Sequence, residues 1–445
     1  MDASLSTPPA AQPASMGWTP PFEKAEPKPP APPAPPEPET LQQAGVSASD
    51  VDALILKLLL HHGDCTGAEV SEHVCLGRVL VSEVLSRLRE ELLVAIKSSS
   101  GIHDFIFQLT DAGHARARRY AEQCNFAGAA PVPLAVYEKA IRKQSLQNSS
   151  LTVRQLSTAL KDLTMREDFV SQIAQAINDG RGMFLFGSPG NGKTTLAERI
   201  VDAFGQYIWI PRIVSIGGDL IRLFDPSCHE EVKLPELDGK RYDRRWVLIR
   251  RPTVVVGGEL TLDQLDVSHQ EASGLSEAPV QMKANGGALL IDDFGRQRAS
   301  STEILNRLIV PLEKQYDFLN LASGRKVQAP FDLLFILSTN LAPRDLVDEA
   351  FLRRIPYKIE VHGPTEDEFR SLVQRLAGEM QYEISPEAIE YLFREHFVNQ
   401  ERPLRFCHPR DLLRQVRNYC EVHSLPRVVN NASWDVAVRN YFVEL

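Results

Sequence analysis

The chain has 445 residues, of which 43% are hydrophobic and 24% are charged, a composition that is typical of globular proteins. Its formal net charge of −9 argues against a protein held to nucleic acid by bulk positive charge, although it leaves room for a local basic patch. The sequence has no apolar run of the roughly 18 residues that a membrane helix needs, and its start resembles no secretory signal. The six scattered cysteines include no C-x-x-C pair, so we expect reduced thiols and a cytoplasmic location.

Residues 1–46 form the most proline-rich part of the sequence, with 13 of the 30 prolines lying in the first 40 positions. Proline fixes φ and removes a backbone donor, and this stretch has little to bury. We therefore predict a disordered arm that favours the polyproline II conformation. Its P-x-x-P spacing is compatible with two interpretations, a plain spacer or a ligand for an aromatic groove on a partner.

Residues 47–125 are predicted to form a small domain of three helices, a β-hairpin and a last helix that begins at Asp111. The hairpin strands are expected at Val94–Lys97 and Phe105–Leu109, and the longest helix at Leu76–Leu93. This order resembles a winged helix-turn-helix, without a diagnostic motif.

The predicted winged-helix domain contains 8 Lys and Arg residues against 11 Asp and Glu residues, which gives a net charge of −3. Phosphate contacts supply most of the non-specific affinity of proteins for DNA. The charge therefore favours a protein-interaction module, with DNA binding as the alternative. The following residues, 126–150, are predicted to be a linker with one short helix.

The sequence MFLFGSPGNGKTTLAERI contains the pattern G-x-x-x-x-G-K-[ST] between a predicted strand, Met183–Phe186, and a helix that follows from Thr195. Glycines in such a loop let backbone N–H groups turn onto a phosphate, and the helix N-terminus adds positive potential. We expect Lys193 to reach the β- and γ-phosphates of ATP, and the Thr194 hydroxyl to ligate Mg²⁺. The predicted nucleotide-binding residues of this loop are Gly187, Ser188, Pro189, Gly190, Asn191, Gly192, Lys193, Thr194 and Thr195.

Hydrolysis requires a metal anchor and a group that orients water, and polar residues at the ends of two further strands are suited to both tasks. Asp292 and Asp293 follow the apolar strand Ala288–Ile291, at the carboxyl end where α/β sheets bind ligands. We predict that Asp292 holds Mg²⁺, directly or through water, and that Asp293 polarises the attacking water. Asn340 follows the strand Leu333–Leu337 and is expected to hold the water or the γ-phosphate.

Adjacent arginines, Arg353 and Arg354, lie in the segment DEAFLRRIPYKIEV, and a guanidinium suits the charge spread over a transferring phosphoryl group. With these motifs in this order, residues 150–445 resemble an AAA+ ATPase. The Walker A and Walker B motifs, the sensor 1 asparagine and the arginine-finger segment Phe351–Pro356 follow one another as they do in that family. The segment HPRDLLRQV is similar to the sensor 2 pattern and has Arg410 in the sensor position.

The resemblance implies an α/β fold, with a parallel sheet of strand order 5-1-4-3-2 in residues 151–360 and a helical lid in residues 361–445. It also implies ATP and Mg²⁺ as ligands and a homo-oligomeric ring, usually a hexamer. In such a ring, a finger arginine of one subunit reaches the nucleotide of its neighbour. Arg354 is the preferred finger and Arg353 the second choice.

The sequence also departs from the family pattern. Walker B usually ends in Asp-Glu, whereas Asp293 is one methylene shorter, which predicts altered water positioning and slow hydrolysis. An insert at about 211–285 and a hairpin-like stretch at 318–330 resemble the branch of MoxR-type chaperones and enhancer-binding activators. These two insertions, with Arg325 and Lys326 at the hairpin tip, are compatible with two interpretations, a pore loop that contacts nucleic acid or acidic peptide, or a solvated turn and a salt-bridged edge. The insert contains a basic-aromatic run of Lys240, Arg241, Tyr242, Arg244, Arg245, Trp246, Arg250 and Arg251.

Three functions are compatible with these features. The first is an ATP-driven remodeller of a protein partner, which the acidic winged-helix domain favours. The second is a nucleic-acid-directed ATPase, either a loader or a transcription regulator that uses the winged helix. The third is an ATP-gated scaffold with little turnover, which the aspartate at position 293 keeps open.

Overall fold

The computed structural model describes residues 32–442 apart from short gaps at 101–103, 149, 162–164, 234–236, 238, 240, 271–272 and 348. Most of the predicted proline-rich arm, residues 1–31, and Lys240 of the basic-aromatic run therefore lie outside the described residues. No helix in the described part of the chain is both long enough and apolar enough to cross a bilayer.

The first structured region of the chain is a small bundle of helices around a three-stranded antiparallel sheet. In chain order its elements are α1 (Leu41–Ala44), α2 (Ala48–His62), β1 (Cys65–Thr66), α3 (Gly67–Val74), α4 (Arg78–Glu90), β2 (Val94–Ser99), β3 (Phe105–Leu109) and α5 (Asp111–Gln123). Capping boxes at Ser47 and Thr66 start α2 and α3, because each hydroxyl and an acidic residue three positions later satisfy free backbone N–H groups.

The predicted helices and hairpin of this region are present, with one difference in length. The helix expected at Leu76–Leu93 is confined to α4, because Leu92 has a φ of 58° and turns the chain out of the helix. That the region acts as a winged helix stays a prediction.

The middle of the chain combines a central sheet with an inserted second sheet. Its elements are β4 (Val132–Pro133), α6 (Leu134–Lys143), α7 (Val153–Ala159), α8 (Glu167–Asp179), β5 (Met183–Phe186), α9 (Lys193–Asp202), β6 (Tyr207–Pro211), β7 (Ile213–Ile216), β8 (Asp219–Arg222), β9 (Trp246–Arg250), β10 (Thr253–Val256), β11 (Ser268–Gln270), β12 (Leu275–Glu277), α10 (Val280–Lys283), β13 (Ala288–Ile291), α11 (Ser301–Lys314), β14 (Tyr316–Asn320), β15 (Lys326–Pro330), β16 (Leu334–Thr339), α12 (Pro343–Leu346), α13 (Glu349–Arg354) and β17 (Tyr357–Glu360).

The central sheet is parallel throughout and has the order β17-β5-β16-β13-β10. When its strands are numbered along the chain, this is the order 5-1-4-3-2, so the predicted fold is confirmed. Helices cover both faces, as a parallel sheet requires. Met183 and Leu185 of β5 belong to the core formed with α8 and α9, whereas Phe184 between them faces the core formed with α11.

The inserted sheet has the order β11-β12-β8-β7-β4 and takes one strand from the predicted linker. β4 pairs with β7, and the side chains of Tyr137 and Ile141 on α6 are fully buried against the insert. Tyr137 also accepts a hydrogen bond of 3.0 Å from Asn285 Nδ2. Residues 126–150 therefore do not form a free linker, because Tyr137 and Ile141 pack against the insert, Ala130 against the N-terminal core and Leu146 against the core around α8 and α9.

The end of the predicted disordered arm is also ordered, which corrects the expectation for residues 32–46. Pro38 and Ala44 are buried, and Gly45 ends α1 in the left-handed region. The sequence suggested nothing for this segment to bury against. Its first part, near Pro32 and Ala34, covers Trp209, which lies more than a hundred residues away in the chain. Ala44 and Val46 instead join the core of the N-terminal helical region.

Four arginines of the basic-aromatic run bond to other parts of the chain, as a salt-bridged edge would, and a substrate contact by the run stays a prediction. Arg245 is 3% exposed, pairs with Asp243 at 2.7 Å and donates to the carbonyl oxygens of Ala44 and Pro131. Three further arginines donate to acceptors elsewhere in the chain: Arg244 to Ser71 Oγ, Arg250 to Asp202 and Arg251 to Gln144 O.

The hairpin-like stretch is an antiparallel hairpin of β14 and β15, as predicted. Its tip lies against the insert: Arg325 Nη1 donates to Gly217 O at 3.3 Å, and Ser323 Oγ bonds to Asp219 Oδ2 at 2.9 Å. The tip therefore has an intramolecular partner, while Lys326 is exposed.

The last region is a helical lid with its own core. Its elements are α14 (Glu366–Glu379), β18 (Glu383–Ile384), α15 (Pro386–Phe393), α16 (Cys407–Val422), β19 (Val428–Val429) and α17 (Asn431–Tyr441). Thr365 and Ser385 cap α14 and α15, as their sequence pattern predicts. Trp434 is fully buried at the centre of the lid core.

We expect His408 to make the lid sensitive to acid. Burial, helped by the charge of Arg405, lowers the pKa of this histidine to about 4. Because the folded pKa lies below the unfolded value, stability is fully present above about pH 6.5 and is lost as the pH falls toward 4. The loss between pH 7 and pH 5 is about 2 kcal/mol.

Chemical unfolding at both pH values, followed by tryptophan fluorescence to which Trp434 contributes from the lid, measures this loss. His408→Phe is the matched control, since the rings of Phe397 and Phe442 already pack against the imidazole. The phenylalanine variant should show less pH dependence in this window, and an unchanged dependence would contradict the assignment.

Candidate functional site

The phosphate-binding pattern forms a tight loop between β5 and α9, at the carboxyl edge of the central sheet. Gly187, Gly190 and Gly192 have φ angles of 136°, 82° and 78°, which residues with a side chain rarely adopt. The loop is also crowded, since a Cβ atom on Gly190 would lie 2.4 Å from Cys407 Sγ of the lid. Glycine is thus needed for both conformation and space.

Two hydrogen bonds hold this loop between the core and the lid. Asn191 Nδ2 donates to Val361 O at 3.2 Å, immediately after β17. Cys407 N, at the start of α16, donates to Gly190 O at 3.0 Å. The loop therefore touches both sides of the cleft in which a ligand would bind.

Lys193 lies at the start of α9 with its ammonium group turned back over the loop. Its Nζ donates to Gly187 O at 2.9 Å, to Ser188 O at 3.1 Å and to Asn340 Oδ1 at 2.8 Å. Burial lowers the pKa of Lys193 below its usual 10.5, and the neighbouring carboxylates oppose this shift. The three oxygen acceptors hold the group at the point where the loop and two strand ends meet.

The two aspartates at the end of β13 have different partners. Thr194 Oγ1 donates to Asp292 Oδ2 at 2.9 Å, while Asn340 Nδ2 donates to Asp293 Oδ1 at 3.0 Å. Lys193, Asn340 and Asp293 thus form one continuous hydrogen-bonded chain. The site residues predicted on three separate strand ends are brought together.

The turn that presents these aspartates is held by residues that the sequence did not single out. Gln297 Nε2 donates to Asp292 O at 2.9 Å and to Asp293 O at 3.2 Å. Phe294 N donates to Ser338 O at 2.7 Å, which ties the turn to β16. Asp293 itself has a φ of 48°, a conformation that a short polar residue tolerates better than most.

The loop and the acidic pair line a cleft of 690 Å³ between the core and the lid. This volume lies within the range of about 300–1,000 Å³ that is usual for small-molecule sites. Arg410 lines the cleft, as predicted. Further residues that were not predicted to line it are Met165, Arg296, Leu372, Arg375, Leu376, Phe406, Cys407, Asp411 and Arg414.

Arg414 could have been found from the sequence, because it follows Arg410 by four residues and so shares its helix face. Arg375 lies on a different helix, α14, and no local pattern marks it.

The two candidate finger arginines lie apart from this cleft, on α13. Neither Arg353 nor Arg354 is among its described lining residues. Arg354 Nε donates to Glu313 Oε1 at 2.6 Å, whereas Arg353 is exposed.

The pair of Thr194 and Asp292 fits a magnesium ion. Mg²⁺ prefers hard oxygen ligands and is usually held by one or two carboxylates, with phosphate oxygens and water completing its shell. The described residues contain no group of three or more His, Cys, Asp or Glu side chains able to hold a metal. One carboxylate and one hydroxyl would leave most of the coordination positions of the ion to phosphate oxygens and water.

Comparison with protein families gives one match, which lies in the lid. Residues 365–440 match the model of a domain of unknown function, DUF8689. A search of curated proteins finds no match to the sequence.

Solved structures of similar shape cover about two thirds of the chain. One of them is the Holliday junction branch migration motor RuvB of Thermotoga maritima. It has 16% identity over 64% of this chain and 72% of that chain, with a TM-score of 0.37. NtrX from Brucella abortus has 15% identity over 64% of this chain and 56% of that chain, with a TM-score of 0.41. A complex of subunits BchI and BchD of magnesium chelatase has 17% identity over 62% of this chain and 92% of that chain, with a TM-score of 0.33. Because the TM-scores are low, the fold assignment depends on the strand order of the central sheet and on the geometry of the site.

We expect Gly190→Ala to weaken the binding of a fluorescent ATP analogue by about tenfold or more. The new methyl group meets Cys407 Sγ, and the positive φ adds about 1–2 kcal/mol of strain. Equilibrium titration measures the affinity.

The double variant Gly190→Ala/Cys407→Ala should recover part of the loss, because only the sulfur lies closer than 3.3 Å. If the double variant binds no better than the single one, contact with the lid is not the cause.

Proposed function

We propose that this protein is an AAA+ ATPase that binds and hydrolyses ATP between its core and its lid, and that works as a ring-forming oligomer. The observation that carries the proposal is the hydrogen-bonded chain of Lys193, Asn340 and Asp293, beside the pair of Thr194 and Asp292. A phosphate cradle, a metal anchor and a carboxylate able to accept a proton thus share one cleft.

ATP would enter this cleft with its phosphates on the loop. The backbone N–H groups at the start of α9 point toward an anion there, and the helix dipole favours negative charge. Lys193 would exchange its two loop carbonyls for phosphate oxygens. A smaller cavity of 310 Å³ shares Met165 and Phe406 with the cleft and includes Phe169 and Val361 in its lining, which suits the flat adenine base.

Thr194 and Asp292 would hold Mg²⁺, which neutralises charge on the phosphate oxygens when it is bound. Asn340 keeps Asp293 Oδ1 occupied, so Asp293 Oδ2 is the atom expected to accept the proton of the attacking water. Arg410 and Arg414 of α16 lie across the cleft, where a guanidinium can stabilise phosphate charge and couple lid position to the nucleotide.

The position of the two candidate finger arginines, outside the described lining of the cleft, supports the proposed oligomer. Arg353 and Arg354 are absent from the described lining of their own cleft, and Arg353 is exposed on α13. A neighbouring subunit in a ring would bring one of them to the cleft. The pairing of Arg354 with Glu313 makes Arg353 as strong a candidate as Arg354, which the sequence favoured.

For the biological role we favour the remodelling of a protein partner. On α4, the helix that a winged helix would place in DNA, Arg78 pairs with Asp104 and Arg87 with Asp52. Both arginines are therefore partly neutralised, and phosphate attraction is correspondingly weak. A nucleic-acid-directed ATPase is the second candidate, and an ATP-gated scaffold is the third because of the short side chain of Asp293.

ATP turnover measured against protein concentration, with sedimentation alongside, tests the proposal. Turnover should rise steeply as the oligomer assembles and should vanish in Lys193→Ala. Asp293→Asn should lower the rate about 100-fold or more while ATP still binds, because the amide cannot accept the proton. Tight ATP binding without turnover at any concentration would indicate the scaffold instead.

Mixing two inactive variants tests the finger in trans. Arg353→Ala or Arg354→Ala should lower turnover of the assembled form at least about 100-fold, according to which residue is the finger. An equimolar mixture of that variant with Lys193→Ala should regain about a quarter of the wild-type rate, because an intact loop then faces an intact finger. Full activity of both arginine variants would contradict the assignment of either residue as the finger. An inactive mixture would contradict the proposal that the finger acts on the nucleotide of a neighbouring subunit.

A further inference from the structure

The described end of the arm, residues 32–38, lies across Trp209 of β6 and Asp243 just before β9, a surface that we call the groove. Its exposed positions recur every third residue, at Pro33, Pro36 and Glu39, while the positions between them are partly or fully buried. A polyproline II helix has three residues per turn, so one edge of it faces solvent at this interval. The segment therefore lies in the groove as such a helix would.

Two hydrogen bonds join the groove to carbonyl groups one polyproline turn apart. Trp209 Nε1 donates to Pro32 O at 3.0 Å, and Asp243 N donates to Pro35 O at 2.9 Å. Proline residues have no N–H, so their carbonyl oxygens are the backbone groups by which a donor can hold them. Both donors thus contact features that any proline-rich helix presents.

The walls of the groove are aromatic. Trp209 and Trp246 are each 3% exposed, and the rings of Trp209 and Tyr242 lie 5.4 Å apart between centroids. Ala34 packs against this aromatic cluster together with Leu248. Surfaces lined by aromatic rings generally bind proline-rich segments, and a buried indole N–H usually finds a hydrogen-bond acceptor there.

A buried ion pair of Arg245 and Asp243 supports the groove. Arg245 donates from its backbone N and its side chain to the carboxylate of Asp243, and both side chains are buried. The N–H that contacts Pro35 is therefore fixed by the fold of the insert. A binding surface that is already formed loses little entropy when its ligand arrives.

We propose that this surface, the proline groove formed by Trp209, Tyr242, Asp243 and Trp246, is a recognition site for proline-rich segments of other polypeptides. The chain's own residues 32–38 occupy it until such a partner replaces them. The sequence PPAPPAPP at residues 29–36 repeats every three positions, so the contacts are not specific to one register. Because residues 32–38 are covalently joined to the rest of the chain, their effective concentration at the groove is about millimolar. A weakly binding peptide in solution therefore competes poorly with them.

The test uses the synthetic peptide of residues 26–40 and two proteins, the full chain and a chain that lacks residues 1–38. Titration followed by tryptophan fluorescence should show binding to the shortened chain, and at least about tenfold weaker binding to the full chain. The ATP analogue and a thermal melt check that the shortened chain is folded. A folded shortened chain that does not bind the peptide would overturn the proposal.

Matched variant peptides distinguish specific recognition of the proline-rich segment from non-specific hydrophobic binding. Replacing the inward prolines, Pro32→Ala/Pro35→Ala, should weaken binding more than replacing the outward ones, Pro33→Ala/Pro36→Ala, since both pairs reduce polyproline content equally. In the shortened chain, Trp209→Phe keeps the ring but removes the donor and should cost about fivefold in affinity. Equal losses from the two peptide pairs would contradict the proposed orientation.

The same substitutions in the full chain avoid the need for truncation. If the shortened chain does not fold, the full-length Pro32→Ala/Pro35→Ala variant should bind the wild-type peptide more tightly than the Pro33→Ala/Pro36→Ala variant does. Identical affinities in the two full-length variants would mean that the segment is only part of the core packing.

Discussion

The contact on which the site depends is that between the phosphate-binding loop and its two flanks. Gly190 accepts a hydrogen bond from Cys407 of the lid, and Asn191 donates to Val361 at the end of the outer strand β17. The loop is therefore the place where core and lid meet, and its glycines provide the space for that meeting. Any ligand that shifts the loop changes both contacts, so binding in the cleft and the position of the lid are mechanically linked.

The parts of the fold that could be predicted from sequence are those that local patterns determine. The strands β5, β13 and β16 are continuous apolar runs that end in polar residues, and parallel strands bring those ends to one edge. Lys193, Asp292 and Asn340 could therefore be placed in one site from their positions in the sequence alone. Capping pairs such as Thr365 with Glu368 indicated helix starts for the same reason, because the signal lies within four residues.

The expectations that were wrong concern contacts between distant parts of the chain. Residues 32–46 contain little to bury, but Trp209 and its aromatic neighbours cover the part near Pro32, and the N-terminal core takes up Ala44 and Val46. The arginines of the basic-aromatic run suggested a surface patch, yet Arg245 is buried because carbonyl oxygens from two distant segments converge on it. Gln297 and Arg375 were missed because neither residue type is marked by its neighbours in sequence.

The pairing of β4 with β7 bears on how the chain is made. The two strands are 81 positions apart, counting from Val132 to Ile213, and the whole of β5, the loop and α9 lies between them. A ribosome adding about 5–20 residues per second takes roughly 4–16 seconds to cross that distance. During that interval Tyr137 and Ile141 have no insert to cover them, so the nascent chain presents an apolar helix face before its central sheet can close.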